Sequence, residues 1–138
     1  MTTIAPLLMI AEGRRPRLRK APVARPKEIT LHISVAAHLR DHALPQWRWT
    51  HIPAGEYRDA REGAKLKAMG LAKGWPDLIL VSPAGVIHFL EFKRIGGVLS
   101  EDQRAFLKWA EDCGIAHAVV KTFDDAAAML KRWGAVNV

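Results

Sequence analysis

Apolar residues gather into short runs separated by Gly- and Pro-containing breaks, and their spacing changes along the chain. The clearest pair of runs, Leu78 to Val81 and Val86 to Phe92, flanks Pro83-Ala84-Gly85. Pro and Gly supply the dihedrals of a tight turn, so this segment predicts a β-hairpin. The second run is apolar on both faces, with Ile87 and Phe89 on one and Val86, His88, Leu90 and Phe92 on the other. Such a strand is expected at the centre of a sheet, covered on both sides.

Glu28 to Ala43 fits two elements. Ile29, Leu31, Ile33 and Val35 alternate with polar residues as in a strand. Leu31, Val35 and Leu39 also recur at i, i+4, the stripe of a helix, and the continuation through Arg40 prefers helix. Gln46 to Ile52 alternates as a strand, and Ala60 to Met69 can hold a short helix within a polar, basic segment. Ser100 with Gln103 forms a capping-box pattern that starts a helix, with Ala105 or Phe106, Trp109, and Ala110 or Cys113 as its inner stripe and Gly114 as its stop. Ala116 to Lys121 predicts a strand, and Thr122 caps a last helix from Phe123 to Trp133, closed by Gly134. The strand–helix–strand step after Glu91 implies a right-handed crossover and a parallel strand pair. The expected fold is α/β, a mixed central sheet flanked by helices.

A chain of 138 residues is one domain by length. The formal charge of +7 is unevenly placed. Residues 1–27 hold Arg14, Arg15, Arg17, Arg19, Lys20, Arg25 and Lys27 against Glu12 alone. That stretch is interrupted by Pro16, Pro22 and Pro26, so a flexible basic arm over 1–27 and a folded domain over 28–138 are expected. A basic arm suits a polyanion such as nucleic acid; the alternative is a solubilising tail without a partner. The single Cys113 excludes an internal disulfide and a cysteine-based zinc site, and a reducing cytoplasm is the default compartment. Pro6 interrupts the apolar opening and no basic region precedes it, so an export signal is not expected. Nor is a membrane span, since no run approaches the required ~20 apolar residues.

Candidate chemistry sits where the hairpin ends. With Pro83-Ala84-Gly85 as the loop, Ser82 faces Val86, and counting back along both strands sets Asp77 opposite Glu91. Their Cβ atoms then lie ~5 Å apart, with Lys93 on the same face as Glu91. Two close carboxylates repel, so the cluster makes sense around a cation. The alternative is a solvated strand end with a surface ion pair. Against that, charges at the end of a central strand need a compensating partner. His38 and His42 have the i, i+4 spacing of a metal pair, but the intervening residues lack the Glu of the zinc-protease motif and no third ligand is evident. His51 and His88 read as structural histidines. No Gly-rich phosphate loop ending in Lys-Ser or Lys-Thr occurs, so no nucleotide cofactor is expected.

Pro76-Asp77 followed by Glu91-x-Lys93 resembles the active-site signature of the PD-(D/E)xK nuclease superfamily. Gly70-Leu71-Ala72-Lys73-Gly74-Trp75-Pro76-Asp77-Leu78, with Glu91-Phe92-Lys93 and then Gly97-Val98-Leu99-Ser100-x-x-Gln103, resembles the VRR-NUC family, the virus-type replication-repair nucleases, in its short stand-alone form. The resemblance covers roughly residues 27 to 134. It implies a restriction-endonuclease-like core that opens with a helix at Glu28, and metal-dependent cleavage of DNA. It implies Mg2+ or Mn2+ held by Asp77, Glu91 and the Phe92 carbonyl. Lys93 would activate water or stabilise charge at the phosphate, assisted by Glu28 and Gln103. Glu28 is also favoured by the helix dipole, and Gln103 by its cap. Stand-alone members are associated with homodimers that cut branched DNA such as four-way junctions.

Arg58, Arg61, Lys65, Lys67 and Lys73 lead into Pro76-Asp77 and read either as a phosphate track or as a solvated loop balanced by nearby acids. Where the family usually shows Asn before Gly, this chain has Ala54-Gly55. Trp47, Trp49 and Tyr57 can stack on bases, or belong to the core or a dimer surface. Two rival functions stand beside the nuclease: a non-catalytic DNA-binding module with a vestigial site, and an RNA-directed nuclease.

Overall fold

A computed structural model describes residues 27–55 and 59–138. Residues 1–26 of the expected basic arm, including Arg14, Arg15, Arg17, Arg19 and Lys20, lie outside the described residues, as do Tyr57 and Arg58, whereas Lys27 opens the first helix. Along the described chain run α1 (Lys27–His42), β1 (Arg48–His51), a 3-10 turn (Pro53–Gly55), α2 (Ala60–Ala68), β2 (Leu78–Val81), β3 (Ile87–Phe92), α3 (Glu101–Asp112), β4 (Ala116–Val120) and α4 (Phe123–Trp133).

The strands form one mixed sheet in the order β1-β2-β3-β4. β1 and β2 are antiparallel, β2 and β3 form the hairpin, and β4 runs parallel to β3 after the crossover through α3. In the hairpin Leu78 pairs with Leu90 and Val81 with Ile87, and the Ser82 N–H donates to the Val86 carbonyl at 2.9 Å. That is the register the three-residue loop imposes. β1 is shorter than the alternation from Gln46 suggests, because Gln46 takes a positive φ of 72° and turns the chain before pairing begins.

The contest at Glu28 to Ala43 is won by the helix. Leu31, Val35 and Leu39 enter the core, while Ile29 and Ile33 face outward. Burying three aliphatic side chains contributes about 2 kcal/mol each, which outweighs β-propensity differences spanning ~1 kcal/mol. Leu78, Leu80, Leu90 and Phe92 meet that stripe from the sheet, and Ala126, Leu130, Ala135 and Val136 close the core from α4 and the C-terminal turn. The other sheet face carries Phe89, whose ring meets Phe106 of α3 at 5.1 Å, with Trp75 alongside at 5.9 Å. α3 thus covers one side of β3 and α1 with α4 the other. Of the stripe expected on α3, Ala110 is buried and Phe106 half-buried, whereas Ala105, Trp109 and Cys113 are exposed.

Candidate active site

Asp77 stands one residue before β2, after the buried Pro76, and continues the register to face Glu91. Its backbone is held from β1. The Asp77 carbonyl accepts from the Ile52 N–H at 2.8 Å and lies 2.8 Å from His51 Nδ1. A carbonyl only accepts, so Nδ1 of His51 carries the proton. The Asp77 carboxylate is held from β3, where Oδ2 accepts from the Phe92 N–H at 2.8 Å.

The next peptide points the other way. The Lys93 N–H donates to the Val120 carbonyl in β4 at 3.0 Å. In a trans peptide the carbonyl opposes the following N–H, so the Phe92 carbonyl faces the Asp77 side.

Glu91 is only 3% exposed. Its Oε1 accepts from Gln103 Nε2 at 2.9 Å and lies 3.6 Å from Lys93 Nζ. Lys93 Nζ is also 3.8 Å from Glu28 Oε1, in the first turn of α1. Gln103 fills both positions open to it. Its Oε1 accepts from the Ser100 N–H at 2.8 Å, while Ser100 Oγ accepts from the Gln103 N–H, so the capping box of α3 is complete. The same amide reaches Glu91 through its other end.

These contacts leave the carboxylates underneutralised. Burial pushes the Glu91 carboxyl up to about 8, Asp77 adds to the rise, and Lys93 only partly opposes it. Asp77 is raised too, first by burial, against the lowering effect of the Phe92 N–H and the nearby His32 and His51. A divalent cation between the two would relieve both effects. The donors are hard oxygens, the kind Mg2+ and Mn2+ prefer. Among the described residues no group of three or more His, Cys, Asp or Glu side chains could close around an ion, so the arrangement suits a cation that keeps several waters. The His38 and His42 rings lie 4.9 Å apart at a tilt of 53°, with no third ligand among the described residues.

The cluster opens into a cleft of about 800 Å3 between α1, the sheet and the start of α3. Glu28, Asp77, Glu91, Phe92, Lys93 and Gln103 all line it. Asp77, Glu-x-Lys and Gln103 thus meet at one cleft in the order of the motif, and residues 33–124, about two thirds of the chain, match the VRR-NUC domain family. The chain belongs to the VRR-NUC family.

Asp77, Glu91, Lys93 and Gln103 lie inside the matched span, and Glu28 precedes it. A solved structure described as a VRR_NUC domain shares the fold, with a TM-score of 0.55 at 19% identity over 78% of this chain and 97% of that one. No curated protein matches. Membership of the VRR-NUC family implies a nuclease-type function on DNA. No helix among the described residues is long and apolar enough to cross a membrane.

Other expected contacts sit elsewhere. Arg61, Lys65 and Lys67 are exposed on α2, which buries no residue, and Lys73 is exposed in the loop beyond it; none of the four lines the cleft. Among the described residues, the cations that line it are Lys93 and Arg40. Trp47 and Trp49 both pack against the core; Trp47 also meets His88 at 5.2 Å, and Trp49 also lines the cleft. His88 is buried between Trp47 and Trp133, as a structural histidine should be. His51 holds the Asp77 backbone and also lines the cleft, its ring 4.6 Å from that of His32. His32, Arg40 and the outward Ile29 and Ile33 are cleft residues that patterning missed. The available signal was helical spacing on α1: Ile33 lies four residues after Ile29, and Arg40 seven after Ile33.

Proposed function

We propose that this VRR-NUC domain is a Mg2+- or Mn2+-dependent endonuclease that hydrolyses phosphodiester bonds of branched DNA, four-way junctions foremost, as a homodimer. The supporting observation is the pairing of the buried Glu91 with the half-buried Asp77, two carboxylates whose charge the protein's own contacts do not neutralise. Asp77, Glu91 and the Phe92 carbonyl would hold the ion, with Glu28 reaching it at most through water. A bound divalent ion supplies charge neutralisation at the phosphate and a water of lowered pKa.

The chain's own residues do the rest. Gln103 fixes the Glu91 carboxylate through one amide hydrogen, leaving its second oxygen for the ion. The Phe92 N–H aims the Asp77 carboxylate. Lys93 is held beside Glu91 and Glu28 at the cleft wall, where its ammonium would meet the attacked phosphate or orient the attacking water. His51 and the Ile52 N–H keep the Asp77 backbone from shifting as the ion binds. The basic residues of the arm and of α2 would follow the phosphate backbone outside the cleft. A homodimer would supply the second cut: one small site cuts one strand, and symmetric resolution of a junction takes two.

The experiment is cleavage of end-labelled four-way junction, flap, linear duplex and single-stranded DNA with Mg2+, Mn2+ or EDTA, beside Lys93→Ala. Paired, metal-dependent cuts on the junction, absent in the variant, are expected. Binding without cutting in either metal would instead favour a DNA-binding module with a vestigial site.

A further inference from the structure

The cleft has two chemically different ends. One holds the carboxylates and Lys93. The other is walled by Ile29, Ile33 and Ala36 on α1, by Arg40 one turn further, and by Trp49 on β1. Ile29 and Ile33 are 66% and 62% exposed, although the helix has a separate stripe that builds the core. Trp49 is half-buried, one part of its ring against the core and the rest toward the cleft, with the Arg40 guanidinium 5.9 Å from its ring centre. Trp49 and His51 share one face of β1, and His51 touches Asp77. The tryptophan therefore stands two residues, ~7 Å along the strand, from the acidic end.

An aliphatic and aromatic wall is the wrong surface for a phosphate and the right one for the face of a base. A strand whose phosphate lies at Asp77 and Glu91 must carry its neighbouring sugar and base along this wall. Paired bases in a duplex face their own axis and cannot reach it. We infer that the Ile29–Ile33–Ala36 wall with Trp49 and Arg40 is a subsite for one unpaired nucleobase next to the scissile phosphate. It selects DNA whose strand is unstacked at the cut. Arg40 steadies the indole and presents a flat cation to the base or to the next phosphate. The inference rests on the nuclease reading only in placing the strand's phosphate at the carboxylates.

The test is fluorescence anisotropy of the full chain with a labelled 20-nucleotide single strand and with the duplex of the same sequence. Ca2+ is present, and gels check that the strands stay intact. Trp49→Ala is expected to weaken single-strand binding about tenfold and duplex binding less than twofold, with Trp49→Tyr restoring most of the loss. Ile33→Ser lies on an exposed position, so it spares the fold; a single-strand loss of about threefold is expected. Failure of the intact protein to bind the single strand, or equal losses on both DNAs, overturns the subsite. So does an Ile33→Ser protein that keeps single-strand affinity but changes sedimenting mass, which would make the wall an interface between copies. If Trp49→Ala behaves as expected while the intact protein cuts no DNA in Mn2+, the nuclease reading fails and the subsite stands.

Discussion

β3 buries two polar side chains three residues apart, and they live in opposite circumstances. His88 is 7% exposed and Glu91 3%. Burial pushes both toward their neutral forms, lowering the His88 pKa and raising that of Glu91. For His88 that is a resting solution: Nδ1 lies 3.1 Å from the Val86 carbonyl, and tryptophan rings pack around it. Glu91 has Asp77 opposite and Lys93 beside it, so neither its charged nor its neutral form satisfies every neighbour. Equal burial therefore yields a structural residue in one case and a poised one in the other. The difference is made by which charges stand nearby.

The largest expected effect separates the two at once. Glu91→Gln should lower metal-dependent cleavage about 100-fold or more, read as initial rate on a labelled junction. His88→Phe should leave that rate within about twofold. Equal losses would mean the site is not where Glu91 is.

The second contrast is in stability against pH without metal. An acid whose folded pKa is raised holds its proton in the folded state after the unfolded chain has released it. Stability should then fall as pH rises from the ordinary carboxylate range through about 8. His88, with a lowered pKa, acts in the other direction: its neutral form is fully favoured above the ordinary histidine value, and stability is lost as pH drops below it. In thermal melts with EDTA, Glu91→Gln should flatten the alkaline side, and His88→Phe the acidic side. Mn2+ should remove the alkaline slope in the intact protein, because the ion favours the ionised carboxylates.

Smaller effects sharpen the picture around Glu91. Gly74 has a φ of +87°, and a Cβ there would come 2.5 Å from the Asp102 carbonyl oxygen in the first turn of α3. Gly74→Ala should therefore cost about 2 kcal/mol or more, a Tm loss of several degrees. Gln103→Ala removes the cap acceptor and the Glu91 contact, for about 1 kcal/mol and about a tenfold loss of rate. A Tm change without any rate change would confine Gln103 to the cap.

Much of this arrangement was legible before any coordinates. The three-residue loop leaves no freedom of register, so Asp77 opposite Glu91 followed from counting. Leu31, Val35 and Leu39 announced the buried side of α1. What patterning could not reach depended on long-range placement. β1 pairs with β2 across the whole α2 segment, with no tight turn to set that register, so the contact of His51 with Asp77 was invisible. Ile29 and Ile33 imitated a strand because their alternation reflects a second, outward job. Arg40 and Trp49 meet only because α1 crosses beside the edge strand β1.

The amide of Gln103 has a consequence for how the enzyme comes into being. One end closes the first turn of α3, and the other holds Glu91 on the central strand. Winding of that turn and alignment of the acid are thus one event. A chain still folding, with α3 unwound, has the acid but not its orientation; on the proposed reading, a local fraying of the helix would lower activity before the sheet is disturbed. On that reading, only a finished molecule is armed.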